Sequence, residues 1–388
     1  MEQKIYNEYV EILKEELLPA MGCTEPIAVA YAAAVAVQAL GEKPESVEVN
    51  VSANIIKNVK SVVVPCTGGL RGIGAAVCAG IVAGCPEKEL EILEEITGEQ
   101  KVEMKKMLDT MPMTIRESDK EYIFDIQIKA CAGGHSGYVE IAGFHTNVIC
   151  VKKDDEIIRE KAYEEQGSSC ATDRSLLTVE KIIEFADCVD VADVEEVLQR
   201  QIDYNWAIAE EGMTGNWGAA IGKTLMEAYG NSVHNRAKAM AAAGSDARMN
   251  GCELPVVINS GSGNQGMTTS LPVIVYAKEL NVSKEMMLRA LVVSNLITIH
   301  MKTGIGRLSA YCGAISAGCG AGAGICYLYG GRAYEISHVI VNAVAINSGV
   351  VCDGAKASCA AKIASAVEAG LLGLQMQKNG KQIGRAHV

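Results

Sequence analysis

The chain has 388 residues, enough for two or three domains with a large buried core. Hydrophobic residues make up 49% and charged residues 21%, so long disordered stretches are not expected. Acidic residues number 47 and basic residues 35, and the formal net charge of -12 repels phosphate backbones. The composition therefore argues against binding to nucleic acid and to anionic membrane surfaces.

Three further features indicate the compartment. The N-terminal segment is charged and lacks the basic and apolar regions of a secretory signal. The uncharged run at 308–331 is long enough to span a bilayer, but Gly, Ala, Ser and Cys dominate it, so we predict a buried helix. The 14 cysteines fall far below the density of a disulfide scaffold. We therefore expect a cytoplasmic protein whose cysteines are core residues, metal ligands or reactive thiols.

The first half of the sequence mixes helix and strand patterns. Apolar periodicity and alanine-rich composition predict helices at residues 3–18, 24–40, 72–83 and 87–108. Strands are predicted, from alternation and from Val and Ile content, at residues 46–64, 122–128, 138–141 and 145–151. The first of these is expected to form a hairpin at Lys57-Asn58. Thr24 is the predicted N-cap of the second helix, with Pro26 in its first turn.

From about residue 175 the pattern is almost wholly helical. Predicted helices cover residues 178–212, 218–245, 267–279, 283–299, 305–328, 333–350 and 355–377. We therefore predict an α+β fold, with a mixed α/β domain at 1–170 that holds the Cys23 turn and a mostly helical domain at 171–388. The tail at 383–388 has no apolar pattern and matches a translated sequencing adapter, so we expect the natural chain to continue.

Cysteines recur at intervals of seven in the helical half. Two sets have this spacing: Cys312, Cys319 and Cys326, and Cys352 and Cys359. A helix would place each set on one stripe, where the thiols either pack between close helices or bind a metal centre such as an iron–sulfur cluster. Seven helical residues rise roughly 10.5 Å, which is far for two ligands of one cluster. The turn signal Asp353-Gly354 therefore favours irregular backbone after Cys352.

A glycine-rich loop, GSGNQG at 261–266, follows a strand pattern and precedes a helix. It matches the dinucleotide-binding GxGxxG pattern, but the helices that follow do not supply the βαβ context. Backbone N–H groups at a helix N-terminus suit a carboxylate, and Asn264, Gln265 and Thr268 add polar side chains. The loop is therefore either a carboxylate-binding element or a structural turn.

Other polar residues are candidates for proton transfer or substrate binding. Cys23 lies where a helix begins, a position that lowers the pKa of a thiol, unless the residue is simply buried and inert. Lys302 and Arg307 form a cationic loop that either holds a substrate carboxylate or is solvated. Three histidines are alternatives for proton transfer: His135, His145 and His300.

Six segments occur in a characteristic order along the chain. They are MGCTEP (21–26), PCTGGLRGIG (65–74), GGHSGYVEIAGFHTN (133–147), NSGSGNQGMTTSLPV (259–273), KTGIGRLSAYCGAISAGCGAGAG (302–324) and GVVCDGAKASC (349–359). Together they resemble the L-cysteine desulfidase family, which is related to the bacterial iron–sulfur L-serine dehydratases. The resemblance extends to about residue 382. It implies an oxygen-sensitive 4Fe-4S cluster and no pyridoxal phosphate.

The resemblance also implies roles for individual cysteines. The cluster ligands would be Cys312, Cys352 and Cys359, and the remaining two cysteines of the seven-residue spacing would pack between helices. Gly354 stands where the dehydratase motif has a proline. The catalytic thiol would be Cys23, since the dehydratases have a serine-rich segment there, and this difference favours cysteine over serine as substrate. The substrate-binding residues predicted with it are Thr24, Glu25, Arg71, Gly263, Asn264, Gln265 and Lys302.

The implied activity is β-elimination of L-cysteine to pyruvate, ammonia and hydrogen sulfide. An iron with an open position would act as a Lewis acid toward the sulfur, and a Cys23 thiolate would remove the α-proton. The alternatives are dehydration of L-serine or L-threonine by the same chemistry, a non-catalytic iron–sulfur sensor of an amino acid and, more distantly, a dinucleotide-dependent oxidoreductase. We expect a small amino-acid substrate, no nucleic-acid or membrane partner, and leave a homo-oligomer open.

Overall fold

The computed structural model describes residues 1–163, 172–306 and 309–384. Within these ranges the α-helices are α1 (Gln3–Glu16), α2 (Thr24–Leu40), α3 (Ala53–Val59), α4 (Gly72–Ala83), α5 (Gly98–Thr110), α6 (Val179–Cys188), α7 (Glu195–Thr214), α8 (Ile221–Tyr229), α9 (Val233–Met249), α10 (Gly263–Glu279), α11 (Lys284–Thr303), α12 (Ala314–Leu328), α13 (Ala333–Ile346) and α14 (Ser358–Lys378). The strands are β1 (Pro19–Met21), β2 (Ser46–Val51), β3 (Met113–Glu117), β4 (Asp125–Ala132), β5 (His135–Ala142), β6 (Val148–Lys153), β7 (Glu156–Glu160) and β8 (Pro255–Val257). Short 3₁₀ helices occupy Pro86–Glu91, Arg174–Leu176 and Val191–Asp193. The predicted α+β fold is confirmed.

A six-stranded sheet, in the order β3-β2-β4-β5-β6-β7, forms the first half of the fold. Strand β3 runs parallel to β2, and the other neighbours are antiparallel. Along β4, Ile126, Ile128 and Ala130 are buried, because alternate side chains point to the face that helix α2 covers. This helix packs closely at Gly137, where an added Cβ would lie 2.1 Å from the carbonyl oxygen of Ala36.

Small residues set the spacing of the helices in the second half. An added Cβ on Gly318 of α12 would lie 2.3 Å from the Ala366 carbonyl oxygen of α14. On the other side of α12, a Cβ on Gly320 would lie 2.1 Å from Oγ1 of Thr298 in α11. The later part of the uncharged run is therefore a buried helix, as predicted, but the helix begins at Ala314 and not at residue 305, because Tyr311 is in an extended bridge with Val351. Among the described residues, no helix combines the length and the apolar character that crossing a bilayer requires.

The first helix packs with the second half of the chain. Tyr9, Ile12 and Leu13 of α1 belong to the same hydrophobic core as Phe185 and the later helices, whereas the sheet has a core of its own. Strand β1 then pairs antiparallel with β8 before the chain passes at Gly22 into the sheet half. The division at residue 170 remains a prediction, and residues 164–171 lie outside the described ranges.

The predicted hairpin at 46–64 is wrong. Strand β2 ends at Val51, Ser52 donates its hydroxyl to the Ile123 carbonyl at 3.0 Å, and the chain continues as helix α3. Ile55 and Val59 are both buried, and their spacing of four residues is helical rather than alternating. Apolar and β-branched content indicated a strand, but burial on one helical face decides the structure.

The predicted continuous helix at 87–108 is also wrong, because a 3₁₀ helix and α5 occupy this region separately. Helix α5 begins with a capping box, in which the Thr97 hydroxyl accepts from the Gln100 N–H and the Gln100 side chain accepts from the Thr97 N–H. Likewise, Thr24 is not the N-cap of α2. Cys23 occupies the N-cap position, and the Thr24 hydroxyl donates to Glu25 at 3.2 Å.

Candidate functional site

A cavity between the sheet half and the helical half collects most of the predicted site residues. Its walls come from the start of α2, from α3, from the ends of α9 and α11, and from the loops before α10, α12 and α14. Four thiols line it, those of Cys23, Cys312, Cys352 and Cys359. Residues nearly 340 positions apart in the sequence therefore contribute to one site.

An antiparallel bridge between Tyr311 and Val351 positions two of these thiols. The Cys312 N–H donates to the Val350 carbonyl at 3.0 Å, and the Cys352 N–H donates to the Ala310 carbonyl at 2.8 Å. Side chains alternate along an extended chain, so Cys312 and Cys352 point to the face opposite Tyr311 and Val351. Both cysteines line the cavity, whereas Val351 is exposed and Tyr311 is an exposed residue at the cavity's edge. Cys312 precedes α12, which contradicts the prediction that it shares a helical stripe with Cys319.

A turn brings the third thiol to the same cavity. Gly354 has a φ of +95° in the segment between Cys352 and α14, so the predicted irregular backbone is confirmed. An added Cβ at Gly354 would lie 2.1 Å from the Lys57 carbonyl oxygen, and therefore the loop rests directly on α3. Cys359 lies in the first turn of α14 and packs against the small cluster that includes Cys23.

The three thiols influence one another electrostatically. Burial raises the pKa of the Cys312 thiol, and the neighbouring Cys352 raises it further. The pKa of Cys359 is raised by burial and by both other thiols. The raised pKa values of Cys312 and Cys359 favour neutral thiols, and a bound metal centre would favour their deprotonation.

The donor set fits an iron–sulfur cluster, for which cysteine thiolates are the usual ligands. In the part of the chain that the structure describes, no three His, Cys, Asp or Glu side chains converge on the position of a single metal ion. The thiols are instead spread around a shared cavity. This arrangement suits a group of several atoms, since its ligands bind different irons rather than one point.

Cys23 is a buried thiol rather than an exposed thiolate. Its Sγ donates a hydrogen bond to Oε2 of Glu25 at 3.0 Å. Burial, and then the negative charge of Glu25, raise the pKa of Cys23 well above its usual value. The predicted lowering by the helix N-terminus is therefore wrong, because burial and a neighbouring carboxylate outweigh the helix dipole.

Glu25 is the acceptor at the centre of this network. Besides Cys23, the hydroxyl of Thr24 donates to Oε2 at 3.2 Å, and the amide of Asn58 donates to Oε1 at 3.0 Å. Burial pushes the pKa of Glu25 upward, but the charge of His145 and the hydrogen bond from Cys23 outweigh it, so the pKa is lowered. The site therefore holds a protonated thiol beside an ionised carboxylate.

The glycine-rich loop joins β8 to α10. The first two residues after the N-cap Ser262 are Gly263 and Asn264, and Gly266 lies so close to β8 that a Cβ would be 2.0 Å from the Val257 carbonyl oxygen. Strand β8 pairs antiparallel with β1, so a βαβ unit is absent from the described residues around the loop. The glycine pattern thus reflects a turn and close helix–strand packing rather than a dinucleotide fingerprint.

The predicted substrate-binding residues divide into those inside the cavity and those outside it. Thr24, Glu25, Asn264, Gln265 and Lys302 line it. Gly263 is absent from the lining, and the place of its missing Cβ lies 2.6 Å from Nε of Arg248. Arg71 is exposed and donates to the Ser61 carbonyl at 3.0 Å, so the structure does not bring it to the site. Arg307 lies outside the described residues.

The predicted proton-transfer groups are similarly divided. Burial lowers the pKa of Lys302, at the end of α11, to about 8, although the nearby thiols oppose this shift. His135 is exposed and bonds to Asp154 at 2.9 Å. None of the three histidines lines the cavity. The charge of His145, however, lowers the pKa of Glu25, which does line it.

Sequence reasoning missed Lys57, Asn58 and Arg248. Lys57 donates to the Ser309 carbonyl at 3.2 Å and so fastens α3 to the loop before α12. Arg248 is 4% exposed and lines the cavity. One signal was available for it, because Asp246 and Arg248 follow the small-residue run at 241–245 of α9, and charged residues are uncommon in such a buried segment.

With the geometry established, comparison with known proteins identifies the class. A family model described as the serine dehydratase alpha chain matches residues 87–387. The chain therefore belongs to the serine dehydratase alpha-chain family, and the predicted relationship to the iron–sulfur L-serine dehydratases is confirmed. This membership places it among the dehydratase-like lyases.

Individual relatives match almost the whole chain. A UPF0597 protein of Desulfitobacterium hafniense is 58% identical over 381 residues, covering 98% of this chain and 89% of the relative. A UPF0597 protein of Lachnoclostridium phytofermentans is 50% identical, covering 97% of this chain and 90% of the relative. A UPF0597 protein of Treponema denticola is 43% identical, covering 98% of this chain and 90% of the relative. The similarity thus includes both the sheet half and the helical half.

Proposed function

We propose that the protein is an iron–sulfur-dependent lyase that eliminates hydrogen sulfide from L-cysteine, giving pyruvate and ammonia. One observation carries this proposal: the thiols of Cys312, Cys352 and Cys359 line one cavity together with the hydrogen-bonded pair of Cys23 and Glu25. Membership of the serine dehydratase alpha-chain family supports the reaction class, since dehydration of serine is also a β-elimination.

The three thiolates would hold a 4Fe-4S cluster. When bound by only three protein ligands, such a cluster supplies a Lewis-acidic iron that stabilises a departing β-substituent. No pyridoxal phosphate is part of the proposal. The remaining chemistry belongs to the chain: positioning a small amino acid and moving its α-proton.

Cys23 and Glu25 form the proposed proton-transfer pair. The thiol already donates toward the carboxylate, so passing its proton to Glu25 frees a thiolate that accepts the α-proton of the substrate. Loss of the α-proton and of the β-substituent leaves aminoacrylate, which tautomerises and hydrolyses to pyruvate and ammonia. Thr24 and Asn58 hold the carboxylate in place through their own hydrogen bonds.

Dehydration of L-serine is the second candidate, favoured by the name of the matching family. The two candidates differ in the leaving group, hydrosulfide or hydroxide. The cysteine at position 23 favours L-cysteine, because the dehydratases that the chain resembles carry a serine-rich segment there. A sensor that binds an amino acid without turnover is the third outcome of the same test.

The test is product analysis on anaerobically reconstituted protein of known iron and sulfide content. Equal amounts of L-cysteine, L-serine and L-threonine are supplied in parallel, and pyruvate, 2-oxobutanoate, ammonia and sulfide are measured. The proposal predicts sulfide and pyruvate in equimolar amounts from L-cysteine, at a higher rate than pyruvate from L-serine. Faster turnover of L-serine would establish a dehydratase instead, and a loaded cluster without any product would establish a sensor.

A further inference from the structure

A buried cation without a protein partner lies in the wall of the cavity. Arg248, near the end of α9, is 4% exposed, and its Nε is buried without a hydrogen-bond partner. No ion pair or hydrogen bond links its guanidinium to another residue in the described parts of the chain. A guanidinium keeps its charge in proteins, and an unpaired buried charge is strongly unfavourable. The site is therefore incomplete without an anion.

The protein's own carboxylate does not fill this need. Glu25 is near enough for Arg248 to lower its pKa, but both of its oxygens accept from other side chains, those of Cys23, Thr24 and Asn58. No ion pair or hydrogen bond joins Arg248 to Glu25 in the described residues, so the N–H donors of the guanidinium are left available to a ligand in the cavity.

A second positive element converges on the same place. Arg248 lies against the first turn of α10, since a Cβ on Gly263 would be 2.6 Å from its Nε. The N-terminus of a helix carries unpaired N–H groups and a partial positive charge, so it repels a cation unless an anion lies between them. Glycine at this position is what allows the guanidinium to approach the helix end.

Two amides complete the arrangement. The side-chain oxygens of Asn264 and Gln265 are buried without hydrogen-bond partners, and both residues line the cavity beside Arg248. A cation, a helix N-terminus and two unpartnered amides are the groups that bind the carboxylate and the ammonium of a free amino acid. Lys302 also lines the cavity, but on the proposed cluster side. After burial, the groups that most affect its pKa are Cys312 and Cys352.

We infer that Arg248 binds the α-carboxylate of the substrate through two parallel hydrogen bonds. The side-chain oxygens of Asn264 and Gln265 accept hydrogen bonds from the α-ammonium group. This inference rests on the proposed function of the same cavity. It makes Arg248 the residue that selects free α-amino acids over esters, amides and amines, and it orients the Cα–H bond relative to the Cys23 and Glu25 pair.

The experiment compares the wild type with Arg248→Gln and Arg248→Lys, using Arg236→Gln on the same helix as a matched control. Equilibrium binding of L-alanine, which has no leaving group, is measured by calorimetry. Turnover is measured with L-cysteine and with L-cysteine methyl ester, and cluster content and the thermal midpoint are recorded for each protein. Arg236 is on the surface, paired with Glu279.

Arg248→Gln should weaken L-alanine binding and raise KM for L-cysteine by roughly 10- to 150-fold, the range for a lost charged hydrogen bond. It should lower methyl-ester turnover much less than L-cysteine turnover and should keep the cluster content. The thermal midpoint of the ligand-free protein should not fall, because the substitution removes an unpaired buried charge. Arg248→Lys should be intermediate, because it keeps the charge but loses the bidentate geometry. Arg236→Gln should match the wild type.

Wild-type L-alanine affinity in Arg248→Gln would overturn the inference, as would equal loss of L-cysteine and methyl-ester turnover. If both Arg248 variants fail to fold, the wild type alone still tests the inference. Equal turnover of L-cysteine and its methyl ester by the wild type would contradict recognition of the carboxylate. Failure of the proposed function is distinct from these results, because it would appear as a wild type that releases no sulfide or pyruvate.

Discussion

The Sγ of Cys23 donates to Oε2 of Glu25 across 3.0 Å at the first turn of α2. The pair sits in the wall that faces Cys359, so its geometry connects the proton-transfer groups to the proposed cluster ligands. Because the thiol is protonated and the carboxylate ionised, the proton acceptor for Cys23 is already in place before substrate binds. Catalysis would then depend on Glu25 as much as on Cys23.

Replacing Glu25 by glutamine should therefore abolish most turnover while keeping the cluster. The substitution preserves size, but it removes the group that accepts the proton of Cys23. We expect kcat with L-cysteine to fall by about 10²–10⁴-fold, the usual contribution of a general base. Unchanged kcat in an anaerobic assay of Glu25→Gln would remove the pair from the mechanism. Glu195→Gln, at an exposed pair with Lys284, is the control and should behave as the wild type.

Gly354→Ala should disrupt the loop between two proposed ligands. The residue has a φ of +95°, and the added Cβ would lie 2.1 Å from a backbone oxygen of Lys57, which cannot rotate away. The positive φ alone costs about 1–3 kcal/mol, and the clash adds to it. Chemical denaturation should show lower stability, and iron content should fall after reconstitution.

Gly349→Ala provides the matched control for this loop. Its φ is +80°, but nothing lies within 4 Å of the added Cβ. Gly349→Ala should be destabilised only by the strain of the positive φ, and it should keep its iron. Similar iron losses in both variants would show that close contact with α3 is unimportant.

Gly313→Ala should displace an amide from the cavity. The new Cβ would lie 2.6 Å from the side-chain amide of Gln265, which must rotate out of its position. Because only a side chain moves, stability should change little, whereas KM for L-cysteine should rise by roughly 10-fold, the equivalent of one hydrogen bond. Gly304→Ala, where nothing lies within 4 Å, should leave KM as it is. Steady-state kinetics that show the same KM in both variants would argue against Gln265 as a binding residue.

An ion pair between α9 and α14 should make stability depend on pH. Glu368 lies 2.8 Å from Nε2 of His234 and 2.6 Å from Nζ of Lys238, and the hydrogen bond from His234 is the main reason that the pKa of Glu368 is lowered to about 2. A lowered pKa contributes stability above the unfolded value of 4.5, and this contribution is lost as pH falls toward 2.

Glu368→Gln should accordingly destabilise the protein by about 1 kcal/mol at pH 7, a value reduced for the partial exposure of the carboxylate. The difference from the wild type should shrink as pH falls below 4.5. Urea unfolding of both proteins between pH 7 and pH 3 checks this. A difference that is constant over that range would mean that ionisation of Glu368 is irrelevant to stability.

The elements that were predicted correctly from the sequence are those whose structure is determined by residues close together in the chain. The alanine-rich helix α2 and the turn at Asp353-Gly354 have local signals, namely composition and turn chemistry. The hairpin predicted at Lys57-Asn58 failed because a short apolar segment fits both periods, and only the burial of Ile55 and Val59 distinguishes them.

The site was less accessible to sequence reasoning, because its properties arise from long-range contacts. A helix N-terminus at Cys23 is visible in the sequence, whereas its burial and the direction of the Glu25 side chain are not. Arg71 lies in one of the characteristic segments but is on the surface. Arg248, in none of those segments, enters the cavity only because α9 packs against the first turn of α10.

Iron content of single cysteine variants tests the central claim most directly. Cys312→Ala, Cys352→Ala and Cys359→Ala are reconstituted anaerobically beside Cys319→Ala, a control that removes a thiol buried in α12 away from the cavity. The account predicts four irons per chain with visible charge-transfer absorption in the wild type and in Cys319→Ala, and loss of both signals in the other three. Equal iron content in all four variants would contradict it.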